Sequence, residues 1–167
     1  QTAPPGFGLA AIVSRDAHLL AVRFNLGDPH SLVRIQPRSP VPLRRDHLWQ
    51  ATCMEFFLAP QNSPAYWEFN LAPSGDWNAY HFDSYRQGIR EENAFTALPF
   101  SIEPSAGKFA LAVQVDLSAL LNPSQAIDLG ITAVIQTQTG DISYWAIQHG
   151  DSQPDFHLRP SFAATFD

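Results

Sequence analysis

Cysteine and methionine are nearly absent from this chain of 167 residues, which holds only Cys53 and Met54. A single cysteine excludes an intramolecular disulfide and any multi-cysteine metal site, so packing alone must stabilise the fold. No stretch approaches the ~20 apolar residues that a membrane-spanning helix needs, and no charged-then-apolar signal segment opens the sequence. We therefore expect a soluble protein with no membrane span, and the cytoplasm is slightly favoured as its compartment.

Positive charge is also scarce, since 10 Lys and Arg face 16 Asp and Glu for a net charge of -6. This balance predicts no general attraction to nucleic acid or to anionic membranes. The one basic cluster is interrupted by prolines and is interpreted as a solvated turn. It comprises Arg34, Arg38, Arg44 and Arg45.

Uninterrupted helical patterns are missing, because 14 prolines and 9 glycines divide the whole chain into short segments. Residues 109–117 alternate apolar and small or polar side chains with a period of two, which indicates a strand with one buried face. About ten short strands are predicted, at 9–14, 18–26, 31–35, 52–58, 66–71, 77–83, 109–117, 128–138, 142–148 and 162–166. Only 85–89 and 118–121 could hold a helical turn.

This pattern predicts an all-β protein, an antiparallel β-sandwich, in which 1–8 is a loose N-terminal segment and 9–167 is a single domain. Turn lengths predict that Glu55 lies opposite Asn70 and that Glu68 lies beside Tyr80. One face of these three strands then forms a core with Met54, Phe56, Leu58, Trp67, Phe69 and Leu71. The other face carries Cys53, Glu55, Tyr66, Glu68, Asn70, Asn78 and Tyr80.

The second face combines hydrogen-bonding groups with flat rings, which suits a hydroxyl-rich ligand such as a sugar. The alternative is a solvated sheet face with ordinary cross-strand pairs.

Five segments carry a family resemblance: LWQATCMEFF at 48–57, YWEFN at 66–70, YR at 85–86, SYWA at 143–146 and PDFH at 154–157. In these segments the chain resembles the bacterial DOMON-like proteins related to family 9 carbohydrate-binding modules. The resemblance spans nearly the whole chain. It implies a jelly-roll type of sandwich and a non-catalytic module that binds a carbohydrate or a similar small molecule.

In the related modules two aromatic side chains enclose the sugar ring, and Trp49 and Phe156 fall at those positions, with Glu55 as the acidic sugar ligand. Where those modules present an arginine this chain has Glu68, and where they use a glutamine it has Val134, so the resemblance implies a pocket with a different ligand. Trp49 and Phe156 are expected to face each other across a cleft. The candidate ligand-binding residues are Trp49, Glu55, Glu68, Asn70, Tyr80, Asp155, Phe156 and His157.

Three other functions stay open at this point. A haem could be held between Met54 and His149 or His157, as in some DOMON domains, and some relatives hold structural calcium. An enzyme could use Cys53 as nucleophile with His157 and Glu55, or two glutamates as an acid and a base. A scaffold domain could bind a protein through the sandwich face. The six histidines show no metal-ligand spacing, so no metal site is predicted. We also predict no cofactor and no catalytic residue.

Overall fold

The structure is a computed structural model that describes residues 7–167. Within that range the chain forms eleven strands, and two short 3-10 helices lie at Leu48–Gln50 and Arg159–Ser161. The strands are β1 (Gly8–Asp16), β2 (Leu19–Gly27), β3 (Cys53–Pro60), β4 (Tyr66–Leu71), β5 (Trp77–Phe82), β6 (Arg90–Glu91), β7 (Phe100–Ser105), β8 (Lys108–Asp116), β9 (Ile127–Gln136), β10 (Ile142–Ala146) and β11 (Ala164–Phe166).

These strands form two antiparallel sheets, which confirms the predicted β-sandwich. The smaller sheet has the order β1-β2-β8-β7, and the larger one has the order β10-β9-β3-β4-β5-β6, with β11 also pairing with β9. In the larger sheet Glu55 lies opposite Asn70, and Glu68 lies opposite Tyr80. The register predicted from turn length is therefore confirmed for both hairpins.

The core between the sheets is built from one parity of each strand. Phe56 and Phe69 stack in its middle, with ring centroids 4.4 Å apart and planes inclined by 6°. Trp67 and Phe69 are buried in this core as predicted, whereas Trp145 is half-buried and packs at its edge against Phe7, 5.2 Å away.

Several boundaries differ from the sequence prediction. Residues 31–35 do not form a strand, because Val33 makes only an isolated bridge to Thr137. The strands β6 and β7 were not predicted; Pro104 lies inside β7, which is an edge strand where proline is tolerated. Most of the predicted loose segment, 1–6, lies outside the described residues, while Gly8 already pairs with Gly27. No helix in the described part of the chain is long and apolar enough to cross a membrane.

The larger sheet is buried on both faces, which the sequence did not predict. Its outer face carries a second apolar cluster that includes Phe57, Tyr66 and Phe82, and it is covered by the 44–50 and 154–162 segments. Asn70 and Asn78 on this face have no exposed surface at all. The alternative of a solvated sheet face is therefore wrong.

The basic cluster is not a solvated turn throughout. The Arg44 guanidinium lies 4.4 Å over the Trp77 ring and donates to Asn78 Oδ1 at 3.0 Å and to the Glu92 and Phe95 carbonyl oxygens at 3.0 and 2.5 Å. Arg44 thereby joins the segment before β3 to the sheet and to the chain after β6. Arg45 fits the solvated interpretation better, because its guanidinium is mostly exposed.

We expect Arg44→Ala to lower the free energy of unfolding by about 2–3 kcal/mol, because several half-buried acceptors lose a charged donor. Urea denaturation followed by tryptophan fluorescence measures this change. The matched control is Arg45→Ala, which removes the exposed guanidinium from Asp76 and should cost less than about 1 kcal/mol, because the Asp76 carboxylate still accepts from Leu43 N–H and Ser74 Oγ. Equal losses in the two variants would show that Arg44 does not hold the segment.

Candidate functional site

A cleft of about 340 Å³ opens on the outer face of the larger sheet. This volume lies at the lower end of the range of about 300–1,000 Å³ that is usual for small-molecule pockets. The strands supply a floor made of Glu55, Phe57, Glu68, Phe82 and Val134. The walls include Trp49, Arg86, Ile89, Tyr144, Phe156 and His157.

Glu55 is a buried carboxyl in this floor and is only 2% exposed. Strand alternation turns it away from the apolar core, so it reaches the cleft from the middle of β3. Its Oε2 accepts a hydrogen bond from Thr132 Oγ1 at 3.2 Å, while Oε1 has no hydrogen-bond partner within residues 7–167. Burial, and then the nearby Glu68 carboxyl, raise the pKa of Glu55 well above its usual range.

Glu68 is the second carboxyl of the floor and lies on β4, one strand away. Its Oε1 accepts a hydrogen bond from Asn70 Nδ2 at 2.8 Å. Burial raises the pKa of Glu68 from 4.5 to about 7, although the bond from Asn70 and the charge of Arg86 act in the opposite direction. Both carboxyls therefore hold their protons to a higher pH than an exposed glutamate does, and a protonated carboxyl can donate as well as accept a hydrogen bond.

His157 presents a fixed donor to the same space. The backbone N–H of Arg86 donates to Tyr66 Oη at 3.1 Å, and Tyr66 Oη lies 2.9 Å from His157 Nδ1. We assign the hydroxyl as the donor of this second bond, because Tyr66 Oη already accepts a hydrogen bond from Arg86. The ring proton then sits on Nε2, which is 3.9 Å from Glu68 Oε2. Burial, followed by the charge of Arg86, lowers the pKa of His157 to about 4, so the ring is neutral near pH 7.

An ion pair ties one wall of the cleft to the C-terminal loop. Asp155 Oδ1 accepts from the Arg86 guanidinium at 2.9 Å, and its Oδ2 accepts from Tyr85 Oη at 2.5 Å. The backbone N–H of His157 also donates to Asp155 Oδ1, at 3.1 Å. Asp155 therefore holds the loop in place and positions His157, instead of facing a ligand.

Aromatic rings form the rim. Trp49 projects from the short 3-10 helix, which follows a left-handed His47 with φ of 62°, and its ring packs edge-on against Tyr80 at 6.0 Å. Phe156 belongs to the C-terminal loop and packs edge-on against Phe57 at 6.5 Å and Tyr144 at 6.1 Å. The rim thus offers apolar ring surface above a floor of hydrogen-bonding groups.

The fold is similar to that of a family 9 carbohydrate-binding module. The module in question comes from Caldicellulosiruptor kristjanssonii and was solved in complex with glucose; it aligns with a TM-score of 0.59 at 11% identity over 98% of this chain and 78% of the module. A candidate carbohydrate-binding protein from Bacteroides uniformis aligns with a TM-score of 0.68 at 15% identity over 94% of this chain and 76% of the other. At these identities the likeness establishes the fold. No protein family and no curated protein matches the sequence.

Five of the eight candidate residues line the cleft in this fold. These five are Trp49, Glu55, Glu68, Phe156 and His157. The other three, Asn70, Tyr80 and Asp155, do not line it, which corrects their choice as ligand-binding candidates. Asn70 lies below Glu68 and positions it, whereas Tyr80 is covered by the 44–50 segment and donates to Asp46 Oδ1 at 2.7 Å.

Arg86 and Tyr144 belong to the walls but were not among the candidates. Both lie inside or beside the segments that carried the family resemblance, in Tyr85-Arg86 and SYWA, so a signal was present. Ile89 gave no signal, because an isolated apolar residue in a loop is common on protein surfaces. Val134 was noted only as a departure from the related modules, and it lies in the floor.

The haem hypothesis fails on geometry. Met54 has no exposed surface and points into the core between the sheets. On the opposite face of the larger sheet, His157 packs against Phe57 and Phe82, and His149 stacks on Phe156. One iron therefore cannot bind Met54 together with either histidine. Across residues 7–167 no group of three or more His, Cys, Asp or Glu side chains is arranged to hold a metal ion.

Cys53 is equally unsuited to act as a nucleophile. Its thiol is fully buried, and burial, followed by the charge of Glu55, raises its pKa well above the usual value. Its sulfur lies 3.7 Å from the Met54 carbonyl oxygen and 4.0 Å from Asn70 Oδ1, beneath the floor of the cleft. A buried thiol with a raised pKa is inert, which is the opposite of an activated cysteine.

Proposed function

We propose that this protein is a non-catalytic module that binds a carbohydrate in the cleft. The observation that supports this most directly is the pairing of two buried carboxyls, Glu55 and Glu68, with aromatic side chains above them in one concave space. Vicinal hydroxyl groups suit such a floor, because a carboxyl can accept and donate at once. The apolar C–H faces of a sugar ring pack well on flat aromatic rings.

The cleft supplies both kinds of hydrogen-bonding group that hydroxyls require. His157 Nε2–H is a donor, and Glu55 Oε1 is an acceptor that has no partner within the described chain. A buried unpartnered oxygen costs about 1–3 kcal/mol, and a ligand hydroxyl would remove that cost on binding. Trp49 and Phe156 provide ring surface at the mouth.

Binding is favoured over catalysis because the cleft has no activated thiol: the Cys53 thiol is buried beneath the floor, and its pKa is raised. The fold of the neighbours, which are a carbohydrate-binding module and a candidate carbohydrate-binding protein, agrees with this proposal.

A protein-docking role for this face has less support. A docking surface is expected to be a flat, exposed apolar patch, whereas this face is concave and has a polar floor.

The departures from the related modules at Glu68 and Val134 indicate that glucose need not be the preferred sugar.

We expect Trp49→Ala to weaken saccharide binding by roughly tenfold or more, because a stacked ring contributes on the order of 1–3 kcal/mol. Isothermal titration calorimetry with a series of mono- and oligosaccharides, D-glucose and cellobiose among them, measures the affinity. Trp49→Phe keeps a ring and should retain most of it. Ile12→Ala, an exposed apolar change on β1, is the control and should leave binding unaltered.

Thermal unfolding without sugar separates lost contact from lost fold. If Trp49→Ala melts like the parent protein yet binds as tightly, the ring does not touch the ligand. If no saccharide binds the parent protein or raises its melting temperature, the proposed function is wrong.

A further inference from the structure

The floor of the cleft carries two carboxyl groups, those of Glu55 and Glu68, and the residues that line the cleft provide no unpaired cation for them. Glu55 is 2% exposed and Glu68 is 6% exposed, so water screens neither carboxyl well. Glu55 lines the cleft, and its Oε1 is a buried oxygen that has no hydrogen-bond partner among residues 7–167. A buried oxygen left without a partner in a built pocket indicates that the missing partner comes from a ligand.

The charged groups around this floor do not balance the negative charge that Glu55 and Glu68 carry when they are ionised. Arg86 is the cationic side chain in the wall, and it is already paired with Asp155 at 2.9 Å. His157 approaches Glu68 to 3.9 Å as a neutral ring. Once Arg86 and Asp155 cancel each other, Glu55 and Glu68 remain as an acidic excess.

The walls favour a cation as well. Trp49, Phe156 and Tyr144 place aromatic rings around the space above the two carboxyls. An ammonium group is attracted to the negative face of such rings, and most strongly where water is excluded. Paired acids below and rings above together form a site for a protonated amine.

We propose that the cleft selects an amino sugar, whose protonated amine binds between the carboxyls of Glu55 and Glu68 while its hydroxyl groups bind the remaining donors and acceptors. This inference rests on the proposed function, because it assigns the ligand class of the same cleft. A bound ammonium donates to Glu55 Oε1 and removes the repulsion between the two carboxylates, so both become ionised in the complex.

The test compares matched sugars by isothermal titration calorimetry at a pH close to the Glu68 pKa of about 7. The probes are D-glucosamine, D-galactosamine and D-mannosamine, each beside its neutral parent hexose and its N-acetyl derivative. We expect at least one amine to bind about tenfold or more tightly than both of its neutral partners, since charge-assisted hydrogen bonds are roughly twice as strong as neutral ones.

In the Glu55→Gln variant, the affinity for the amino sugar divided by the affinity for its neutral parent hexose should fall close to one. Glu103→Gln is the matched control, because it removes the same charge from an exposed position on the smaller sheet, where Glu103 pairs with Arg23. It should keep the ratio of the parent protein. A fall in the ratio in Glu103→Gln as well would mean that overall charge attracts the amine, and the proposal would be overturned.

The outcomes separate this inference from the proposed function. If neutral hexoses bind and their amines bind no more tightly, the cleft is a carbohydrate site without a preference for charge, and the amino-sugar inference alone is overturned. If neither form of any sugar binds, both proposals fail. A preference that survives in Glu55→Gln would also overturn the inference, because the unpartnered oxygen would then play no part.

Discussion

Replacing Glu55 and Glu68 together by glutamine is expected to reduce saccharide binding by more than roughly a hundredfold, and yet to make the protein more stable above the Glu68 pKa of about 7. Each carboxyl provides a charge-assisted hydrogen bond worth about 1.5–3 kcal/mol to a bound ligand, so losing both exceeds a hundredfold in affinity. The gain in stability has a separate cause, the cost of ionising a buried acid.

The cost of ionising the buried carboxyls makes the free energy of unfolding depend on pH. An unfolded glutamate loses its proton near pH 4.5, whereas folded Glu68 keeps its proton up to about 7. Between these values the folded state binds more protons, so the free energy of unfolding falls as the pH rises, and Glu55 extends the fall further. His157 acts in the opposite sense below about pH 6.5, where its lowered pKa favours the folded state as the pH rises.

Comparing the double variant with the parent protein at each pH cancels the contribution of His157. The difference in free energy of unfolding should grow with pH, to roughly 2–3 kcal/mol in favour of the variant once Glu68 is ionised in the parent. Urea denaturation at several pH values measures it, with Glu103→Gln as a control that should show no such trend. A constant difference across pH would contradict the raised pKa values and with them the account of the floor.

Phe69→Ala is expected to cost about 3–5 kcal/mol, the largest loss of stability from a single substitution that we predict. Phe69 and Phe56 stack with centroids 4.4 Å apart, and neither ring has any exposed surface. Truncation leaves a cavity between two sheets that pack as rigid layers, and strand pairing prevents their collapse onto it.

Chemical denaturation measures this loss, and Phe69→Leu is the milder variant if the alanine form does not fold. Ile12→Ala removes a side chain that is 65% exposed and should cost less than about 1 kcal/mol. Similar losses at Ile12 and Phe69 would show that the stacked pair is not central to the core.

The fold was largely predictable because its signals are local. Hairpin turns of defined length set the pairing of Glu55 with Asn70 and of Glu68 with Tyr80, and alternation along β8 set its buried face. Edge strands gave weaker signals. Pro104 hid β7, and the β-like composition of 31–35 was misleading because only Val33 is bridged there.

The cleft was less predictable, because its walls come from loops that are distant in sequence. Strand parity correctly turned Tyr80 away from the core, but nothing local shows that Asp46 and Trp49 fold down over it. Asp155 was a candidate ligand-binding residue, yet its carboxylate pairs with Arg86 from another loop. Side chains on strands can thus be assigned a face from the sequence, whereas coverage of that face depends on long-range contacts.

The pairing of distant strands also bears on how the chain matures during synthesis. The larger sheet depends on β9 lying beside β3, and the smaller sheet depends on β8 lying beside β2. Until β8 and β9 leave the ribosome, β2 pairs only with β1 and β3 only with β4, so each has one unpaired apolar edge, and such edges are prone to aggregate. Folding must therefore wait for the later part of the chain, at the slow rates typical of non-local β topologies. Slower synthesis at low temperature, or a chaperone that shields β3, should favour soluble product.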